Sequence, residues 1–311
     1  MRELTAAPHK KKRVVSPIRT APMDYTFLVL VLVILTIGLI MLFSASYAYA
    51  YYYMNQNSFH FISRQLVFAV LGVAAMIVIS FIDYRILRKF AWPLYGLALV
   101  LLVIVLFLPE INYVHRWINL GFTTFQPSEL AKLALVVLYA HLITQNYDKM
   151  KTFRYGIVPF AVILGSFALL LVLEPHLSAT VLLCCIAAVM LIAGGINMKW
   201  FTLAGASAVG LLAVVALIPG VTPYAASRLS YWLDPFSDPL GKGFQTIQSL
   251  YAIGSGGVMG AGIGQSRQKY LYLPEPHNDF IFAVVCEELG FVGATCIIIL
   301  FALLVWRGFH I

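Results

Sequence analysis

Asp279 is the residue of this 311-residue chain best placed to act as a base. It stands where a polar run, Glu275-Pro276-His277-Asn278-Asp279, meets the apolar stretch Phe280-Ile281-Phe282-Ala283-Val284-Val285. A carboxylate there would be half desolvated at a membrane boundary, a setting that favours its protonated form and suits a general base for a hydroxyl. Capping of the following helix is the competing role, and the two can coexist, because Asp accepts hydrogen bonds from the first amides of a helix and meets the positive end of its dipole. Glu129 and Lys132 open another apolar stretch at a three-residue spacing, which puts them on neighbouring parts of one helical face. Charges inside a span mark either a polar interior or an ion pair that fixes packing. Glu287 and Glu288 lie two turns beyond Asp279, with Glu287 nearer to its face. They suit protons or ions, or else a structural partner on another helix.

The run Gly254-Ser255-Gly256-Gly257-Val258-Met259-Gly260-Ala261-Gly262-Ile263-Gly264 has the flexibility of a phosphate cradle but neither nucleotide fingerprint, since no Gly-Lys-Ser/Thr ending follows and the glycines miss the dinucleotide spacing. Two readings survive: backbone amides approaching an anion, or close packing of helices. His277 and Asp279 are only two candidate metal ligands, so the sequence offers no complete metal site.

The elements that must position these residues are set by composition. With 61% hydrophobic and 11% charged residues and a mean hydropathy of +0.88, the chain cannot be one water-soluble core. Apolar stretches near the ~20 residues that cross a bilayer occur at 25–48, 61–82, 90–108, 128–144, 155–173, 177–196, 200–218 and 279–306. They lack the alternation of barrel strands, so the expected fold is an all-α polytopic membrane protein of about eight transmembrane helices. The first run is too long, and lacks a cleavage site, for a removable signal peptide. Cys184, Cys185, Cys286 and Cys296 sit in apolar runs without disulfide or metal spacing.

The net charge of +8 is spread over loops and forms no nucleic-acid face. If every run crosses, the basic tail 1–24, Arg85, Arg88, Lys89, Lys149, Lys151, Arg154, Lys199 and Arg307 share one side, which is then cytoplasmic. The N-terminus and the end at 307–311 fall inside, and helices one to seven fill 25–218. A sixty-residue loop, 219–278, falls outside before the last helix, and long loops of this kind commonly carry function.

Two blocks of sequence carry a resemblance. Arg116-Trp117-Ile118 followed by Phe125-Gln126-Pro127-Ser128-Glu129-Leu130-Ala131-Lys132 forms one. The other joins Arg228, Trp232-Leu233-Asp234-Pro235, Gly241-Lys242-Gly243-Phe244-Gln245, Gln248-Ser249, Ala252-Ile253-Gly254-Ser255-Gly256-Gly257, Gln268-Lys269 and Leu273-Pro274-Glu275-Pro276-His277-Asn278-Asp279-Phe280-Ile281-Phe282. From Tyr25 onward the chain resembles the SEDS (shape, elongation, division and sporulation) family of cell-wall glycan polymerases, and its division and sporulation branch more than its elongation branch. It departs from the family at Pro175-His176-Leu177-Ser178, where an acidic residue and a glycine are usual, and in lacking a glycine before Arg116-Trp117. The family usually carries more spans, which implies a chain that stops short of its full length.

The resemblance implies polymerisation of lipid II, with Asp279 as catalytic base. Arg228, Lys242, Arg267 and Lys269, with Arg116, would hold the pyrophosphate, and Glu129 and Lys132 would shape the cavity. His277 joins them as a substrate-binding candidate. Mg²⁺ or Mn²⁺ is the cofactor such a leaving group invites. The implied partners are a class B penicillin-binding protein and other divisome or sporulation proteins, in the bacterial cytoplasmic membrane. Two rivals are a lipid II flippase, using Glu129, Lys132, Glu287 and Glu288 as an ion-coupled path, and a scaffold for division proteins. A transporter needs such residues through both leaflets, whereas an enzyme concentrates them at the outer loop.

Overall fold

The computed structural model describes residues 23–109, 115–121, 123–174, 176–206, 233–241 and 243–311. Its helices are α1 (Tyr25–Tyr53), α2 (His60–Ser80), α3 (Leu87–Leu106), α4 (Pro127–Gln145), the short α5 (Phe153–Gly156), α6 (Val158–Leu173), α7 (Leu177–Ala193), α8 (Phe244–Ser255) and α9 (Ile281–His310). A two-stranded antiparallel ribbon, β1 (Ile118–Asn119) and β2 (Thr124–Phe125), pairs Ile118 with Phe125 just before α4. Six helical segments among the described residues are long and apolar enough to cross a membrane, and α7 is a shorter apolar helix. The expected span at 200–218 is helical at 198–206, and the rest of it lies outside the described residues.

The chain clusters into two compact units, one of Met1–Ser80 with Ser230–Ile311 and one of Phe81–Leu229. In the second unit, α4 is the buried element. Pro127 occupies its first turn, where a missing amide hydrogen costs nothing, and Glu129 meets the positive end of its dipole. Ala131, Ala134, Leu135 and Leu138 pack with Leu102 of α3, Phe160 and Phe167 of α6 and Leu183 of α7. The Tyr139 hydroxyl, fully buried, donates to the Phe160 carbonyl at 2.7 Å, so α4 is tied to α6 without an unsatisfied polar group.

In the first unit, α1 packs along α9 and α2, and α8 packs on α9. Small residues permit the close approach: Ala45 of α1, Ala252 of α8 and Ala283 of α9 share a core with Met41, Leu273 and Val284. At 29 residues α1 is roughly 43 Å long, more than a ~30 Å hydrocarbon layer requires. Asp24 caps its start, accepting from the Phe27 amide at 2.8 Å, and also receives Arg307 from the far end of α9 at 2.6 Å.

The last span is not one uninterrupted helix as the apolar run 279–306 suggests. Gly290 has φ 66° and ψ −168°, which breaks α9. The freed groups are paired by the glycine run: Ala261 and Gly262 amides donate to the Glu287 and Glu288 carbonyls, both at 2.9 Å, and the Phe291 and Val292 amides donate to the Gly257 and Val258 carbonyls at 2.9 and 3.1 Å. A helix can be interrupted at membrane depth only when its backbone groups find such partners. A Cβ on Gly290 would strike the Gly260 amide nitrogen, and one on Gly260 would strike the Glu288 carbonyl.

Candidate functional site

The loop between α8 and α9 folds around two acids of α9. The Glu287 carboxylate accepts from the Arg267 amide at 2.8 Å and from the Ser266 hydroxyl. The Glu288 carboxylate accepts from the Ser44 hydroxyl of α1 at 2.7 Å and from the Lys269 ammonium at 2.8 Å, and that ammonium also reaches Ser44 at 3.1 Å. The side chains of Lys269 and Glu288 are 3% and 0% exposed. Glu287 and Glu288 are therefore structural anchors, the first held by neutral donors and the second by Ser44 and the Lys269 ammonium. Lys269 is turned into the protein to balance Glu288, which corrects its expected place among pyrophosphate ligands. In the glycine run, the amides of Ala261 and Gly262 are consumed by α9 and so are not offered to an anion.

On this framework Asp279 is exposed, in a turn immediately before α9. The protein itself does not bury the carboxylate. Capping is absent: the N-cap position of α9 is Phe280, and no side chain bonds there. Arg267 is exposed in the same unit, with its backbone held by Glu287. Arg228 and Lys242 lie outside the described residues.

His277, expected to bind substrate, is instead 5% exposed. Its ring lies 4.9 Å from that of Tyr49 on α1 and 4.2 Å from that of Phe61 on α2. Burial pushes the imidazole below its ordinary range, against the opposing charges of Glu275 and Asp279. Among the described residues no group of three or more His, Cys, Asp or Glu side chains could hold a metal ion.

In the other unit, Lys132 and Glu129 form the ion pair their spacing predicts, at 2.8 Å. The lysine is 24% exposed and the glutamate 59%, so the pair is presented outward. Arg116, half-buried before β1, directs Nε to the Glu174 carbonyl at 3.5 Å. Sequence reasoning missed the Glu174 carboxyl. It is 1% exposed, neither oxygen has a hydrogen-bond partner among the described residues, and burial raises it to about 8 despite Arg116. His176, at the start of α7, is buried and pushed down to about 4 by desolvation and then by Arg116 and Lys132, against Glu129. The acid that the Pro175-His176 departure removes thus has a neighbour two residues upstream. A charged residue in a short turn between apolar spans was the available signal.

The family model described as cell cycle protein, FtsW/RodA/SpoVE, matches residues 25–311. The stage V sporulation protein E of Bacillus subtilis is 42% identical over 259 residues, 82% of this chain and 70% of that protein. A probable peptidoglycan glycosyltransferase FtsW of Geobacter sulfurreducens is 39% identical over 259 residues, 82% of this chain and 68% of its own length. Among solved structures, a chain described under the structural coordination of polymerization and crosslinking by a peptidoglycan synthase complex aligns with a TM-score of 0.69 at 32% identity, covering 91% of this chain and 76% of that one. The rod shape determining protein RodA of Thermus thermophilus aligns with a TM-score of 0.60 at 27% identity, covering 91% of this chain and 73% of its own.

Proposed function

We propose a reaction for this chain, which belongs to the FtsW/RodA/SpoVE family of cell cycle proteins, the SEDS family: it is a multi-pass membrane peptidoglycan glycosyltransferase that polymerises lipid II. The acceptor sugar's 4-hydroxyl attacks the anomeric carbon of the donor. The bond from that carbon to the phosphate oxygen breaks, undecaprenyl pyrophosphate leaves, and the hydroxyl proton passes to Asp279. The observation that carries this reading is the exposed Asp279, held in a turn between a bonded loop and the start of α9. Arg267 is the described cation best presented to the departing pyrophosphate, with Arg228 and Lys242 of the same loop as further candidates. In the other unit, Arg116 and the outward Lys132–Glu129 pair serve the substrate. The reaction belongs on the outer face of the cytoplasmic membrane with the N-terminus inside, an orientation the distribution of basic loops supports. A class B penicillin-binding protein is the partner, crosslinking the product during division or sporulation.

The bonding of Glu287 and Glu288 favours an enzyme over an ion-coupled transporter. An ion path needs acids able to exchange partners, whereas these two are closed by Ser44, Ser266, Arg267 and Lys269. Detergent solution separates the two classes, because it abolishes the sides of the membrane. Purified protein with its penicillin-binding partner, given lipid II in detergent, is expected to yield glycan chains. Transport of lipid II in vesicles with no polymer in detergent would instead establish the flippase, and neither activity would leave the scaffold.

A further inference from the structure

We infer that Glu275 and His277 are positioning residues for Asp279, clamped from α1 by Tyr49 and from α2 by Phe61. The inference rests on Asp279 serving as the base proposed above. The Asp279 side chain has no hydrogen bond or ion pair among the described residues, so only its backbone can fix where the carboxylate points. On one side that backbone runs straight into α9. On the other it depends on a cluster the proposed reaction does not otherwise use. The Tyr49 hydroxyl donates to Glu275 Oε1 at 2.9 Å, Asn278 Nδ2 donates to Glu275 Oε2 at 2.8 Å, and His277 Nε2 lies 3.6 Å from that oxygen.

Two further features mark the cluster as more than packing. Glu275 has φ 48°, a left-handed backbone that a non-glycine residue adopts only where its surroundings insist, and such strain gathers at working sites. His277 is buried between two aromatic rings although its Nδ1 has no hydrogen-bond partner there, a cost that apolar packing alone would avoid with a Phe. The chain is thus pinned at Leu273, which is buried with its amide on the Gln268 carbonyl at 2.9 Å, and again at His277, two residues before Asp279. Loosening the second pin lets the carboxylate drift from the acceptor hydroxyl, and misplacement of about 1 Å can cost up to ~10²-fold in rate.

The test compares Tyr49→Phe, Glu275→Ala and Glu275→Gln in the full chain with its penicillin-binding partner. Three quantities are read: lipid II polymerisation, melting temperature, and hydrogen exchange of the 274–280 segment. Tyr49→Phe and Glu275→Ala are expected to lower kcat ~10-fold with KM within about twofold, and to raise local exchange at an unchanged melting temperature. Glu275→Gln, which still accepts from Tyr49 and can pair with Asn278 after an amide flip, is expected to restore most of the lost kcat. Native kcat in Glu275→Ala, a rise in KM alone, or no restoration by Gln would overturn the positioning role while leaving Asp279 as base. If the native complex makes no polymer, the glycosyltransferase reading fails. Exchange then decides the clamp separately: unchanged protection in Glu275→Ala overturns it, and raised exchange sustains it.

Discussion

Replacing Lys269 with Met removes an ammonium that sits 2.8 Å from Glu288 Oε1 and 3.1 Å from Ser44 Oγ, between side chains that water hardly reaches. Glu288 would keep the Ser44 hydroxyl at 2.7 Å and the Ser266 amide at 3.3 Å, two neutral donors for a full buried charge. Breaking a buried pair from one side costs ~3–5 kcal/mol, because the remaining charge stays desolvated. The retained donors favour the lower end, ~3 kcal/mol, or a factor of ~10² in the unfolding equilibrium at about 1.4 kcal/mol per decade. The Lys269→Met/Glu288→Gln double variant leaves no orphan charge and is expected to recover ~2 kcal/mol of that loss. Denaturation by SDS titration in mixed micelles, run as a double-variant cycle, measures both. A single variant within ~0.5 kcal/mol of native, or strictly additive effects, would refute the assignment of Lys269 as a structural counter-ion.

Lys132→Met is expected to behave oppositely: its partly exposed pair with Glu129 is worth at most ~1 kcal/mol, so melting should hardly change while polymerisation falls ~10-fold or more. Full activity would remove Lys132 from the substrate site. Gly290→Ala should destabilise the first unit by ~2 kcal/mol or more, because φ 66° is strained for alanine and its Cβ meets the Gly260 backbone; a native melting temperature would contradict the break in α9. For pH, folded Glu174 at about 8 keeps a proton that its unfolded form, near the ordinary value of 4.5, has released, so its contribution to stability falls as pH rises through that interval. His176, at about 4 when folded and 6.5 when unfolded, acts in the opposite direction between those values. Stability should therefore drop with rising pH mainly from about 6.5 to about 8, where Glu174 acts unopposed, and Glu174→Gln should flatten that drop. An unchanged profile in that variant would show that Glu174 is not the titrating group.

The membrane helices were legible because each is set by a local property, a run of apolar residues of bilayer length. The 128–144 expectation, for instance, meets a helix at Pro127–Gln145. The Glu129–Lys132 pair was legible for the same reason, since three-residue spacing on a helix dictates contact. What failed depends on distant partners. Lys269 looks like any loop cation until Glu288, nineteen residues on, and Ser44, at the far end of the sequence, close around it. The expected loop 219–278 holds the twelve-residue α8, whose short apolar face, Ile247 and Ala252, is disguised by neighbouring glycines. Gly290 is one glycine in an apolar run, and its backbone reversal follows only from the amides and carbonyls that the 257–262 segment supplies. His277 and Asp279, both polar and two residues apart, diverge because aromatic rings from α1 and α2 enclose the first and leave the second outside.

The central claim, that Asp279 takes the acceptor proton in glycan polymerisation, is tested most directly by comparing native protein with Asp279→Asn and Asp279→Ala in the complex with its penicillin-binding partner, on purified lipid II. Folding is matched by melting temperature, which should not shift, because the exposed carboxylate bonds to none of the described residues. Glycan chains from the native protein and none from either variant are the predicted result. Polymer from a variant at the native rate would contradict it.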